Sequence, residues 1–147
     1  MYAAESHLKA ITLECGGKSP QLVLADPPDL DFVADQVLVA GLMNMGENCS
    51  CGSRLIVHRS VHDALLERLV GRTADWTVGD PQDPATRVGP LIERPHLTKV
   101  LSDIETGSEE GARVVVGGGR TGGGTGGCVG SPNIREEVRK TNRSTAE

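Results

Sequence analysis

Short aliphatic runs alternate with longer stretches of helical periodicity along this chain of 147 residues. The pattern predicts the order strand, strand, helix, strand, helix, helix, strand, which is typical of an α/β layer architecture. The predicted strands lie at residues 10–13, 21–25, 54–58 and 113–116. Because residues 21–25 form a nearly continuous apolar run, we expect that strand to be buried in a parallel sheet.

Helix start and stop signals place the three predicted helices. The first begins after an N-cap at Asp29 and runs toward Met45. The second opens at Ser60, which with an acid three residues later resembles a capping box. The third carries Pro95 in its first turn and stops near Gly107.

Helical and strand periodicity fades after residue 116. Residues 117–130 contain nine glycines, and that much backbone freedom opposes regular structure. Residues 135–147 are polar and lack an apolar face, so nothing would hold them against a core. We therefore predict one domain in residues 1–134 and a mobile tail in residues 135–147.

Composition and charge argue against several classes of partner. The net charge is −5, the Lys and Arg residues are scattered, and only three residues are aromatic, so we expect no nucleic-acid partner. The longest apolar run, residues 37–43, is far shorter than the roughly 20 residues of a membrane span. The first ten residues lack a signal-peptide pattern. These features predict a cytoplasmic protein without a membrane partner, with its four cysteines as reduced thiols.

A zinc site is one hypothesis for the polar residues Cys49, Cys51, His58 and His62, since two thiolates and two imidazoles can complete a tetrahedron. The spacing argues against it. One residue between the cysteines is tighter than the usual two to four, and the two histidines fall on different predicted elements. We therefore predict no metal site here.

A glycine fingerprint follows the last predicted strand, with Gly117, Gly119 and Gly122 in the GxGxxG spacing of a dinucleotide-binding turn. Such a turn must lead into a helix whose N-terminus faces the phosphates. The sequence TGGGTGG that follows has almost no helix propensity. A surface loop is the interpretation we favour.

Two other segments carry groups suited to catalysis. Glu14 lies in LECGGKSP, at a strand end followed by two glycines that permit close approach of a backbone or ligand. Cys49 lies in NMGENCSCGSR, where loop N–H groups could stabilise an oxyanion. Taken singly, Glu14 could be a turn carboxylate and Cys49 a buried core thiol.

Together the two segments resemble the aldehyde dehydrogenase superfamily, whose active-site acid and nucleophile lie in LELGGKSP-like and NxGQxCxAGSR-like motifs. The resemblance continues in RLIVHRSVHDALLERLV, VGDPQDPATRVGPLI and KVLSDIETGSEEGARVVVGG, from Tyr2 to about Ile134. It implies a three-layer αβα catalytic domain of aldehyde dehydrogenase type, incomplete at both ends. LECGGKSP and the DPAT segment are most similar to the branch acting on aminoaldehydes such as γ-glutamylaminobutyraldehyde.

The resemblance also implies a reaction, in which a small aldehyde is oxidised to a carboxylic acid with NAD or NADP. Cys49 matches the nucleophile, which forms a thiohemiacetal with the aldehyde. Glu14 matches the general base, which activates water to hydrolyse the thioester left after hydride transfer. Members of the family are homo-oligomers.

The chain also departs from the family pattern. Glu47 stands where Gln is usual, and Met1 falls after the family's nucleotide-binding units. We therefore expect the cofactor-binding half to be missing and assign no cofactor-binding residue, Glu137 in IREEV included. Such a chain would not complete the oxidation alone. The alternatives are a non-catalytic remnant or subunit-interaction piece, and a cofactor-independent thiol esterase using Cys49 and Glu14.

Overall fold

The structure, a computed structural model, describes Glu5 and residues 9–121 and 129–136. It confirms the predicted α/β class, with a parallel pair of strands, an antiparallel pair and three helices among these residues. None of these helices is long and apolar enough to cross a membrane. The elements are β1 (Pro20–Val23), α1 (Leu30–Leu42), β2 (Arg54–Val57), α2 (His62–Thr73), α3 (Arg94–Glu109), β3 (Arg113–Val116) and β4 (Ile134–Glu136).

The parallel pair is formed by β1 and β2, with α1 in the connection between them. Their register runs from Pro20 opposite Arg54 to Val23 opposite Val57. Parallel neighbours require a crossover connection, and a helix is the usual one. The apolar run and the helical periodicity that follows it thus predict the parallel pairing correctly. The expected burial of the strand is wrong for one face: Val23 is buried, whereas Leu22 and Leu24 are 68% and 62% exposed, because within the described residues the helices pack only on the side of Val23.

The main core lies between the inner side of this sheet and the two helices α1 and α2. Spacing along each helix places apolar residues four apart on one face, and these side chains are buried. The core consists of Val23 from β1, Ala34 and Leu38 from α1, and Leu65 and Leu69 from α2. The sequence predicted the inward face of α2, including Leu65, which is 1% exposed.

The start of α1 is capped as predicted. The Oδ1 of Asp29 accepts hydrogen bonds from the backbone N–H groups of Asp31 (2.9 Å) and Phe32 (3.1 Å). These N–H groups belong to the first helical turn, where no carbonyl is available within the helix. On the outer surface, Arg72 of α2 forms ion pairs with Asp31 and Asp35 at 2.8 and 2.7 Å. The two helices are therefore joined outside the core as well as within it.

The boundaries of the helices differ from the sequence prediction for local reasons. α1 ends at Leu42 because Asn44 and Met45 adopt left-handed backbone angles, with φ of 52° and 57°, inside the 3₁₀ turn Met43–Gly46. The predicted capping box at Ser60 is wrong. The backbone N–H of Ser60 donates to Nδ1 of His58, and α2 begins two residues after Ser60, at His62. α3 passes through the buried Gly107 and ends at Glu109.

The predicted strand at residues 10–13 is absent. Residues 9–19 have no regular secondary structure, and Leu13 is 78% exposed. A strand requires a hydrogen-bonded neighbour, and within the described part of the chain β1 pairs with β2 alone. The apolar pattern of residues 10–13 is therefore not enough to make them a strand, because no neighbouring strand pairs with them in the described part of the chain.

The strand β4, which the sequence did not predict, pairs antiparallel with β3. Arg113 lies opposite Glu136 and forms an ion pair with it. The chain reaches this pairing by a close approach at Gly117, where a Cβ would overlap the carbonyl oxygen of Pro132. The proposed tail at residues 135–147 begins within β4, and residues 137–147 lie outside the described residues. The boundary at residue 134 stays a prediction.

The cap of α1 can be tested by the substitution Asp29→Ala. We expect it to lower the free energy of unfolding by about 1 kcal/mol, because two N–H groups of the first turn lose their acceptor. Urea unfolding followed by circular dichroism measures the change. Asp26→Ala, an exposed acid outside the helix, is the control, and an equal loss in both variants would contradict the assigned cap.

Candidate active site

The segment that contains Glu14 precedes β1 as an exposed stretch of chain. Glu14 and its neighbour Cys15 are both exposed, so the carboxylate is open to water. The segment ends at Pro20, where β1 begins. Glu14 thus precedes the first strand of the parallel sheet by six residues.

The segment that contains Cys49 connects the end of α1 to β2. Cys49 is exposed, and its Sγ lies 3.6 Å from Oδ1 of Asn48. The sequence left open whether this thiol is buried in the core. Its exposure argues against that reading, because a thiol that serves only to fill a core is enclosed by other side chains.

The two segments contact each other at Gly17. A Cβ built on Gly17 would lie 2.8 Å from the carbonyl oxygen of Cys49, closer than carbon and oxygen atoms pack. The absence of a side chain therefore allows the two backbones to pass in contact. The structure brings together the two segments that the sequence singled out, while the roles of Glu14 and Cys49 stay predictions.

We call residues 43–53, between α1 and β2, the cysteine loop. This loop is held in place by Gln21, whose side chain points inward from β1. Its Nε2 donates to the carbonyl oxygen of Gly52 at 2.8 Å and to that of Val37 at 3.3 Å. The N–H of Gly52 in turn donates to the carbonyl oxygen of Ala40 at 2.9 Å. A Cβ on Gly52 would lie 2.6 Å from the Gln21 amide. One amide side chain thus connects strand, helix and loop.

Gln21 is a site residue that sequence reasoning missed. The available signal was a polar residue in an otherwise apolar strand. Such a group must find hydrogen-bond partners when a helix packs over it. Here the partners are backbone carbonyls of α1 and of the cysteine loop.

Cys51 differs from Cys49 in its surroundings. It is buried, and its Sγ lies 3.2 Å from the carbonyl oxygen of Gly41 in α1. Burial raises the pKa of the Cys51 thiol, and the positive charge of Lys18 opposes the rise to a smaller extent. Because the thiolate is the reactive form, the environment of Cys51 favours an inert, structural thiol.

Glu47 makes a second contact of the cysteine loop, which the sequence did not predict. Its Oε1 lies 3.4 Å from Nε2 of His96 in the first turn of α3. The Glu47 side chain is 24% exposed, so the pair is partly shielded from water. The contact directs the carboxylate of Glu47 toward α3.

The histidines considered for zinc do not converge with the cysteines. Nδ1 of His58 lies 2.8 Å from the hydroxyl of Ser60, and Nδ1 of His62 lies 2.8 Å from the carboxylate of Asp63. Among the residues that the structure describes, no group of three or more His, Cys, Asp or Glu side chains could hold a metal ion.

Part of the backbone of the glycine segment after β3 is already hydrogen-bonded within the chain. The N–H of Gly119 donates to Oγ of Ser131 at 3.1 Å, and its carbonyl oxygen accepts from the Ser131 N–H at 2.9 Å. These backbone groups are therefore engaged within the chain, whereas a phosphate turn presents free N–H groups. Gly122, the last glycine of the fingerprint, lies outside the described residues.

Known proteins similar to this chain include members of one enzyme family. The model described as "Aldehyde dehydrogenase family" matches residues 1–147. The aminoacetaldehyde dehydrogenase of Pseudomonas aeruginosa is 49% identical over 117 residues, which cover 80% of this chain and 24% of that protein. The chain thus spans about a quarter of the length of this curated relative.

Solved structures show the same similarity in three dimensions. The γ-glutamyl-γ-aminobutyraldehyde dehydrogenase of Burkholderia cenocepacia matches with a TM-score of 0.90 and 42% identity, over 99% of this chain and 29% of that chain. An indole-3-acetaldehyde dehydrogenase solved with NAD⁺ matches with a TM-score of 0.91 and 43% identity, over 99% and 30%.

The close approach at Gly17 can be tested by Gly17→Ala. We expect a loss of about 1–3 kcal/mol in the free energy of unfolding, because the added Cβ forces the cysteine loop to shift. We also expect the rate at which iodoacetamide alkylates Cys49 to change, and peptide mass spectrometry measures that rate. Gly16→Ala is the matched control, since its Cβ would meet nothing within 4 Å. Similar behaviour of the two variants would argue against the contact.

The environment of Cys51 predicts slow alkylation. In the folded chain we expect Cys51 to react with iodoacetamide more slowly than the exposed Cys15 and Cys49, because its raised pKa leaves less thiolate at neutral pH. The difference should disappear in concentrated urea. Equal rates in the folded chain would show that Cys51 is neither buried nor held as a thiol.

Proposed function

This chain belongs to the aldehyde dehydrogenase family, and we propose that it supplies that family's nucleophilic thiol, Cys49, and its catalytic carboxylate, Glu14. Enzymes of the family are oxidoreductases that use NAD(P). The proposal is carried by the contact between Gly17 and the carbonyl oxygen of Cys49. Through that contact the carboxylate segment and the thiol loop adjoin each other.

The proposed role of Cys49 is to attack the carbonyl carbon of the aldehyde. The thiolate forms a C–S bond, and the electron pair of the C=O double bond moves to oxygen, which gives the oxyanion of a thiohemiacetal. The exposure of Cys49 leaves the sulfur open to a small aldehyde.

The proposed role of Glu14 is to accept a proton from the water that hydrolyses a thioester on Cys49. Attack by that water releases the carboxylic acid and returns the sulfur as a thiolate. Because Glu14 is exposed, water can reach its carboxylate. The two residues together account for addition to the aldehyde and for release of the acid.

The oxidation step is not assigned to residues of this chain. NAD(P) is the cofactor of the family, but no residue of this chain is assigned to bind it. The proposal therefore covers the acyl chemistry of Cys49 and Glu14 alone.

For the substrate we propose an aminoaldehyde. Supporting relatives are named for aminoacetaldehyde and for γ-glutamyl-γ-aminobutyraldehyde, in agreement with the similarity of LECGGKSP and DPAT to that branch. The cytoplasmic location and the absence of a nucleic-acid partner stay predictions.

Hydrolysis of p-nitrophenyl acetate tests the two roles without a hydride acceptor. We expect the chain to become acetylated at Cys49, and Cys49→Ser to abolish this reaction. Glu14→Gln should still be acetylated but should release acetate about 100-fold more slowly or worse, because the general base is lost. Cys15→Ser, which removes another exposed thiol, should retain the activity.

Acetylation that persists in Cys49→Ser would contradict the nucleophile assignment. Equal deacylation rates in wild type and Glu14→Gln would contradict the base assignment. A cooperatively folded chain that is not acetylated at all would favour the non-catalytic alternative.

A further inference from the structure

The backbone a few residues before Cys49 adopts a conformation that most side chains disfavour. Asn44, Met45 and Gly46 are three successive residues with positive φ, at 52°, 57° and 75°, and we call them the left-handed turn. Glycine and asparagine tolerate this region of backbone angles, whereas methionine carries a steric cost there. A residue in such a conformation persists only where its surroundings hold it. The contacts around the left-handed turn therefore determine how the loop continues toward Cys49.

Glu47 lies at the junction between the left-handed turn and the turn that contains Cys49. The N–H of Glu47 donates to the carbonyl oxygen of Asn44 at 3.0 Å, which closes the left-handed turn. The N–H of Cys51 donates to the carbonyl oxygen of Asn48 at 2.9 Å, so that Cys49 lies inside the next turn. A group that fixes Glu47 thus fixes the relation between the two turns.

His96 contacts the carboxylate of Glu47 from the first turn of α3. Its Nε2 lies 3.4 Å from Oε1 of Glu47, and the two side chains are 39% and 24% exposed. The next residue of the helix, Leu97, is 1% exposed. Because the buried Leu97 anchors the start of α3, the side chain of His96 extends to the cysteine loop from a fixed position.

A packing contact joins the same turn to the segment that leads into α3. A Cβ built on Gly89 would lie 3.9 Å from Sδ of Met45, so the Met45 side chain lies against the backbone at Gly89. That backbone is itself held, since the carbonyl oxygen of Val88 accepts from the N–H of Gly79 at 3.1 Å. The left-handed turn is therefore supported both by α3 and by the chain before it.

We propose that His96 is a positioning residue for Cys49, which acts by holding the carboxylate of Glu47. While this contact is made, the left-handed turn is maintained and the following turn presents the thiol in one orientation. When it is lost, the turn relaxes, because the left-handed Met45 is less firmly held. The inference rests on the proposed nucleophilic role of Cys49 and extends the site to α3.

Attack on a carbonyl depends on the orientation of the thiol more than alkylation does. The sulfur must approach the carbon while N–H groups of the loop face the developing oxyanion, and a displacement of about 1 Å lowers such a rate by as much as 100-fold. Alkylation by iodoacetamide forms no oxyanion and needs only an accessible thiolate. The ratio of acetylation to alkylation at Cys49 therefore separates orientation from accessibility.

A double-mutant cycle on the 147-residue chain tests the inference. His96→Ala, Glu47→Ala and the double variant are treated with p-nitrophenyl acetate and, in a separate sample, with iodoacetamide. Peptide mass spectrometry follows modification at Cys49. The cycle isolates the contact, because two residues that act through each other give losses that do not add.

Two further variants and a second measurement complete the design. His96→Gln keeps an N–H donor for the carboxylate of Glu47. His62→Ala is the matched control, because His62 is 42% exposed and also contacts an acid, Asp63 at 2.8 Å, but lies on α2. Hydrogen exchange of the Glu47 and Cys51 amides reports directly on the two turns that these N–H groups close.

We expect each single variant to be acetylated at Cys49 about tenfold more slowly than wild type, with alkylation changed by less than about twofold. The double variant should be no slower than either single variant. Exchange of the two turn amides should be about tenfold faster in all three. His96→Gln and His62→Ala should behave as wild type.

Unchanged acetylation and amide exchange in His96→Ala would overturn the inference, as would losses that add in the double variant. If His96→Ala does not fold, Glu47→Ala removes the same contact from the other side, and unchanged values there would overturn it equally. A wild-type chain that is not acetylated at Cys49 contradicts the proposed function instead. Amide exchange then decides whether His96 holds the turn.

Discussion

The arrangement of the candidate site depends on the side-chain amide of Gln21. It donates to a carbonyl oxygen in α1 and to one in the cysteine loop, so β1, α1 and the loop are held together by one group. Cys51 adds a second connection to α1 through its thiol. Because the Gln21 amide is partly buried, leaving it without its partners would cost about 1–3 kcal/mol. The loop that carries Cys49 is therefore held at the end of the parallel sheet.

Glycine at two positions allows this arrangement to form. Gly52 makes room for the Gln21 amide, and Gly17 lets the carboxylate segment pass against the carbonyl oxygen of Cys49. Local backbone geometry thus connects a sequence motif near the start of the chain to one more than thirty residues later. Within one short loop, Cys49 is exposed whereas Cys51 is buried, so the loop holds one accessible thiol and one enclosed thiol.

Much of the fold could be predicted from periodicity and caps, as the buried Leu65 and the N-cap Asp29 show. The failures have physical causes. Residues 10–13 form no strand because the described chain offers no neighbour for them, and β4 is too short to carry a periodic signal. The motifs that contain Glu14 and Cys49 could be recognised in the sequence, but the role of Gln21 in holding the cysteine loop could not. Gln21 could not be assigned because its backbone partners come together only in the folded chain.

The proposed nucleophile Cys49 should add to an aldehyde even without a hydride acceptor. Carbon-13 NMR of the 147-residue chain mixed with acetaldehyde labelled at the carbonyl carbon measures this addition. We expect a thiohemiacetal resonance that is lost in Cys49→Ser and retained in Cys15→Ser. Observation of free aldehyde and its hydrate alone, or of a thiohemiacetal resonance that survives Cys49→Ser, would contradict it.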